Sequence, residues 1–209
     1  MKNNIIITIG REFGSGGKAI GKIVSEKLGI DFYDKEIISL AAKDSGMAPE
    51  VIENNDEKPM SSFFFSLALD ARNTIGRIDS PISQQAFLAQ FNVIKKIAAE
   101  GKPCVFVGRC ADYALASFEN VVSVFINADM EDKIALVSEL RSLTKDKAID
   151  LINKTNKTRA NYYNYYSSKK WGAASSYDLC INSSRTGYEG AAELIIRLAE
   201  IKQRILDEK

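Results

Sequence analysis

Histidine is missing from this chain altogether. That removes a Ser-His-Asp triad, a Cys-His dyad, a histidine general base and any His-ligated metal from what these residues can build. Cysteine is scarce: Cys104, Cys110 and Cys180, with no CxxC spacing, argue against a disulfide framework or a zinc knuckle. Cys104 and Cys180 stand in the apolar runs PCVFV and DLCIN and read as small buried hydrophobes. Excess charge is also lacking, since 28 Lys+Arg against 27 Asp+Glu leave a net +1. Such a balance disfavours duplex-coating and polybasic membrane-binding roles, and no nucleic-acid or membrane partner is expected. No run approaches the ~20 apolar residues of a membrane span, and MKNNIIITIG is too short an apolar stretch for a signal peptide, so a cytoplasmic setting is expected. The 209 residues, 45% apolar and 26% charged, have ordinary globular composition and suffice for one domain with its own core.

IIITI at residues 5–9 reads as a strand buried on both faces. GREFGSGGKAIG follows, with Gly10, Gly14, Gly16, Gly17 and Gly21. In AIGKIVSEKLG, Ile20, Ile23, Val24 and Leu28 recur at the spacing of an amphipathic helix that Gly29 ends. IDFY, PCVFVG (103–108), VVSVFIN (121–127) and YDLCIN (177–182) read as further strands. Helices are expected from Glu36 to near Gly46, over 83–100, in RCADYALASF, over 130–153 and over 188–208, and a mobile connection over 47–62. Strands alternating with helices predict an α/β fold, a parallel sheet covered on both faces, with the glycine loop at the carboxyl end of the first strand.

That loop, Gly10 to Lys18, has the strand before it and the helix after it that phosphate binding requires. Glycines let backbone N–H groups turn toward an anion, and the helix N-terminus adds its dipole. The GxxxxGK[ST] pattern would place glycine at 12 and Ser/Thr at 19, where this chain has Glu12 and Ala19. Aligning GSG with the usual GxG instead gives the lysine slot to Gly17 and leaves Lys18 one residue late. In both registers the hydroxyl that normally holds Mg²⁺ is out of place, and Ser15 is the loop's one hydroxyl. A turn without a ligand is the plain structural alternative. For Arg109 that alternative is a salt bridge, for Asp34 a helix N-cap before KEIISL, and for Arg159 a solvated helical face. NYYNYYSSKKW could stack on nucleobases, but packing of its rings against the core is the favoured reading.

The segments ITIGREFGSGGKAIGKIVSEKLGIDFYDKEII, VGRCADYAL, VVSVFINAD and YDLCINSSRTG together resemble the cytidylate kinase-like family, a branch of the P-loop nucleoside monophosphate kinases. The resemblance implies a three-layer P-loop fold over residues 1–209, a monophosphate-binding insertion at 36–100 and a lid at about 141–172. It implies ATP with Mg²⁺ as the phosphoryl source and CMP or dCMP as the acceptor. Gly14, Ser15, Gly16, Gly17 and Lys18 would then hold ATP phosphates. Asp34 matches the acid that opens the monophosphate site, Arg109 the arginine of the GRD-type segment, and Arg159 the lid arginine of the D-x-x-R-A segment. Cytidylate kinases put several arginines and aspartates in the lid, whereas this chain sets Lys154 and Lys157 near Arg159. A P-loop kinase for another small acceptor and a catalytically degraded nucleotide-binding regulator are the two rivals. The apolar run FFFSLALDA, 63–71, leaves a homodimer open.

Overall fold

The computed structural model describes residues 4–57 and 82–208. Five strands form one parallel sheet in the order β2-β3-β1-β4-β5. They are β1 (Ile6–Arg11), β2 (Asp31–Tyr33), β3 (Cys104–Val107), β4 (Val121–Asn127) and β5 (Leu179–Asn182). Among the described residues the α-helices are α1 (Gly17–Leu28), α2 (Glu36–Ser45), α3 (Pro49–Asn55), α4 (Ile82–Ala99), α5 (Ala111–Ala114), α6 (Met130–Arg141), α7 (Lys145–Ser167) and α8 (Ser183–Asp207).

Strand alternation sorts the core into two layers, as the pleat demands. Ile6, Cys104 and Phe106 face Ile37, Ala41 and Ile94 of α2 and α4. Ile5, Ile7, Ile9, Val105, Val107 and Val124 face Ile20 and Val24 of α1 and Ile195 of α8. β1 lies in the middle, paired with β3 through Ile6↔Cys104 and with β4 through Ile6↔Val121. The carboxyl ends of β1, β2 and β3 therefore open on the same edge, the place where parallel sheets bind ligands.

The expected three-layer architecture is present, with local departures. The connection expected over 47–62 contains α3, because Pro49 stands in its first turn, where a missing N–H loses nothing, and Ile52 is fully buried; the rest of that stretch, from residue 58, lies outside the described residues. The helix expected over 130–153 is two helices: α6 ends at Ser142 in the left-handed region, and α7 starts after Thr144. Cys180, expected buried, is exposed, since β5 is an edge strand paired to β4 alone, whereas Cys104 and Cys110 are buried. The run 63–71, and the homodimer it left open, lie outside the described residues. Among the described residues no helix is long and apolar enough to cross a membrane. The tyrosines of α7 pack as favoured: Phe87 stacks on Tyr166 with ring centroids 3.8 Å apart, and Tyr163 stacks on Tyr177.

Candidate active site

The glycine loop begins inside the sheet. Gly10 and Arg11 still pair with Phe125 and Ile126 of β4. The chain then turns, with the Ser15 amide donating to the Glu12 carbonyl, and enters α1 at Gly16. Gly16 sits at φ 74, and a Cβ there would run into the Tyr188 ring. Only glycine satisfies both the left-handed backbone and that close approach. Ser15 is buried; its hydroxyl donates to the Glu12 carbonyl at 3.0 Å, so the loop's one hydroxyl serves the loop itself. Ser183 Oγ fastens the loop to α8 by donating to the Ser15 carbonyl at 2.8 Å. On the other side Glu12 accepts from Lys133 Nζ of α6 at 2.6 Å, and the Phe13 amide donates to Asn156 of α7 at 2.7 Å.

Among the described residues no side chain caps the N-terminus of α1. Uncapped first-turn amides, a glycine entry and a cleft of about 650 Å³ beside Gly14, Gly16, Gly17 and Lys18 fit the phosphates of a nucleotide. The same residues do not make a cage for Mg²⁺. Ala19 brings no oxygen, and among the described residues no group of three or more Cys, Asp or Glu is placed to hold a metal ion.

Asp34, one residue past β2, joins the two halves of the cleft. One of its oxygens pairs with Lys18 Nζ at 2.8 Å, and the other accepts from Arg109 Nη1 at 3.2 Å. It does not cap α2 by its side chain; Lys35 occupies that position. Burial by itself would raise the Asp34 carboxyl, but the Lys18 hydrogen bond and the Arg109 charge hold it below its ordinary value.

Arg109 follows β3 in a tight turn in which Gly108, Arg109 and Cys110 all have positive φ, at 77, 54 and 52°. Two consecutive non-glycine residues in that region are uncommon, and the side chain reaches back to the Val107 carbonyl. Its guanidinium is buried, bonded to Asp34, to Asp56 at 2.7 Å and to the Val107 carbonyl at 3.3 Å. Among the described residues, Arg109 Nε and Asp56 Oδ1 are buried and find no hydrogen-bond partner. Beside Arg109 lies a cavity of about 20 Å³ lined also by Arg11, Glu57, Asp112 and Tyr162, room for about one water.

Three residues of this site escaped the sequence reading: Arg11, Asp56 and Glu57. Arg11 forms a two-pronged pair with Glu57, its Nη2 donating to Oε2 at 3.1 Å. Arg159 Nε reaches the same carboxylate at 3.1 Å, and the Arg109 amide donates to it at 3.3 Å. Burial by itself would push Glu57 up, yet Arg11 and Arg159 outweigh it and hold the carboxyl far below the carboxylate range. Burial and repulsion from Arg11 draw Arg159 down to about 10, since the two guanidinium groups share one acid. Asp56 is pushed up, because burial exceeds the pull of Arg109. Arg159 also donates from Nη1 to the Arg11 carbonyl at 3.3 Å and lies 5.7 Å from the Phe13 ring centre. The sequence offered one signal for this set, the charged residues flanking the glycines and ending α3, but nothing in their spacing pairs them.

These shifts have a pH consequence. Glu57 and Asp34 titrate lower in the folded state than in the unfolded chain, so their contribution is whole above the unfolded value, about 4, and is lost as pH falls below it. Asp56, raised by burial, acts in the opposite direction. Between about pH 5 and about pH 3 the wild type should lose more unfolding free energy than Glu57→Gln, read from urea midpoints at each pH. Parallel pH curves for the two proteins would contradict this account of Glu57.

Over 212 aligned residues the chain is 26% identical to a cytidylate kinase of Archaeoglobus fulgidus, covering 97% of this chain and 99% of that one. The crystal structure of an uncharacterized protein from Eubacterium ventriosum is similar with a TM-score of 0.72 and 31% identity, covering 94% of this chain and 98% of that one. The shikimate kinase of Bacteroides thetaiotaomicron is similar in fold, with a TM-score of 0.53 at 16% identity, covering 94% and 98% of the two chains. The model of the cytidylate kinase-like family matches residues 6–185, a span that holds the glycine loop, Asp34, Arg109 and Arg159, and the chain belongs to that family.

Proposed function

We propose that this protein transfers a phosphoryl group from ATP to a nucleoside monophosphate, with CMP or dCMP as the leading acceptors. The observation that carries the reading is Asp34, which ties Lys18 of the phosphate loop and Arg109 of the opposite wall into one cleft. Membership of the cytidylate kinase-like family and similarity to a cytidylate kinase support the same assignment. Phosphoryl transfer asks for positioning and charge neutralisation more than for a nucleophilic side chain, so the absence of histidine is no obstacle.

In this reading the amides of residues 14–18 and the Lys18 ammonium hold the outer phosphates of ATP. Asp34 orients Lys18 and, through Arg109, the acceptor wall. An acceptor phosphate oxygen attacks the γ-phosphorus in line, and ADP leaves. Residues 36–100 supply the acceptor insertion and about 141–172 the lid, whose Arg159 brings positive charge over the cleft. Kinases of this family use ATP and usually Mg²⁺; among the described residues no side-chain cage for the ion is present. The protein acts in the cytoplasm on small nucleotides.

The displaced lysine and Ala19 favour one second reading, a nucleotide-binding regulator without turnover. Purified protein with ATP, Mg²⁺ and a panel of nucleoside monophosphates and other small acceptors separates the readings. ADP formation dependent on CMP or dCMP is the expected result. Turnover only with another acceptor moves the assignment within the kinases, and tight ATP binding with no turnover on any acceptor establishes the regulator.

A further inference from the structure

Glu57 is held by more donors than any other carboxylate described above, yet it belongs to none of the expected roles. It lies just past α3 with a left-handed backbone, φ 51°, a conformation that a non-glycine residue takes at a penalty. Its carboxylate receives both prongs of Arg11, Nε of Arg159 and the amide of Arg109. These donors come from three distant elements: the end of β1, the turn after β3, and α7. All four residues border the large cleft beside the phosphate loop.

The charges do not balance on Glu57 alone. Two guanidinium groups, Arg11 and Arg159, bond to a single carboxylate, which carries one negative charge. The cost appears on Arg159, drawn down to about 10 by burial and by Arg11. Asp34 and Asp56 do not relieve the mismatch, because both are already paired with the Arg109 guanidinium and Asp34 also with Lys18. A phosphate monoester carries between one and two negative charges near pH 7, with three acceptor oxygens. It matches two forked cations and one amide better than a carboxylate does.

We propose that Arg11, Arg159 and the Arg109 amide form an oxyanion site for the acceptor's phosphate monoester, and that Glu57 fills it as an internal stand-in which the ligand displaces. This rests on the kinase reading for the word acceptor, while the anion site itself stands on geometry. The Arg109 guanidinium then positions the turn, and its amide touches the ligand. Arg11, the residue the sequence reading passed over, becomes a principal ligand to the phosphate.

Inorganic phosphate, titrated calorimetrically into the wild type and Glu57→Gln, tests the proposal. The amide keeps the shape of the side chain and removes its charge, so the variant should bind phosphate ~10- to 100-fold more tightly. Adding Arg11→Ala to that variant should abolish the gain. CMP should then displace the bound phosphate and a non-hydrolysable ATP analogue should not; displacement by the analogue alone overturns the assignment to the acceptor. Glu57→Asp, too short to reach Arg11 in the same way, should show a smaller gain. If neither variant folds, amide exchange of residues 50–57 in the wild type should quicken with saturating phosphate, and no change there overturns the proposal. Equal phosphate affinity in wild type and Glu57→Gln overturns it whatever the turnover assay gives. A gain in affinity without turnover on any acceptor leaves the anion site standing and removes the kinase reading.

Discussion

Arg109→Ala should lower the thermal unfolding midpoint by about 10 °C. The guanidinium is 4% exposed and bridges two acids, Asp34 at 3.2 Å and Asp56 at 2.7 Å. Removing one partner of a buried ion pair leaves uncompensated charge and costs about 3–5 kcal/mol. In a chain of this size each kcal/mol moves the midpoint by roughly 2–4 °C. Here two carboxylates lose their partner at once, and Asp56, already raised by burial, would take up a proton more readily. Arg109→Lys should recover part of the loss, since one ammonium can reach one acid but cannot fork across both. Scanning calorimetry of the three proteins checks this. An unchanged midpoint in Arg109→Ala would mean that the network carries no net stability. In the acceptor assay the same variant should raise the acceptor KM while leaving ATP affinity nearly unchanged; the reverse pattern would invert the assignment of the two halves of the cleft.

Lys18→Ala should behave in the opposite way, with turnover reduced about 10²-fold and the fold left intact. Its side chain is 64% exposed, and among the described residues it pairs with Asp34 at 2.8 Å. An ion pair that open contributes little to stability, so the unfolding midpoint should stay within about 2 °C of wild type. The ammonium borders the cleft together with Gly14, Gly16 and Gly17, at the start of α1, where the outer phosphates would lie. A cation there neutralises charge that grows during transfer, and its loss is felt in turnover more than in folding. Steady-state rates at saturating ATP decide the matter. Normal turnover would show that Lys18 stands clear of the phosphates and that the late lysine of the loop has been replaced by another cation.

The contrast between these two variants follows from what is local and what is not. Whatever depends on neighbours in the chain was legible in the residues. The five apolar residues before Gly10 make a strand, the 3.6-residue spacing from Ile20 to Leu28 makes α1, and glycines between them make a loop at the sheet edge. Alternation of strand and helix predicted a parallel sheet, and the sheet is parallel throughout. Lys18 could be named from the glycine loop it closes, and Asp34, Arg109 and Arg159 because the segments around them resemble motifs of the family. What the patterns could not carry was partnership. Arg11 meets Glu57 across 46 residues and Arg159 meets it across 102, and both contacts exist only because the order β2-β3-β1-β4-β5 brings the ends of β1 and β3 together beside α7. The strained turn at Gly108–Cys110, the exposure of Cys180 on an edge strand and the break at Ser142 are decided by the same packing. Residue type and spacing determined the scaffold and its glycine loop, because hydrogen bonding and amphipathic burial act over a few residues. Tertiary structure alone decided which acid faces which arginine, because charge pairing acts through space and takes no account of distance along the chain.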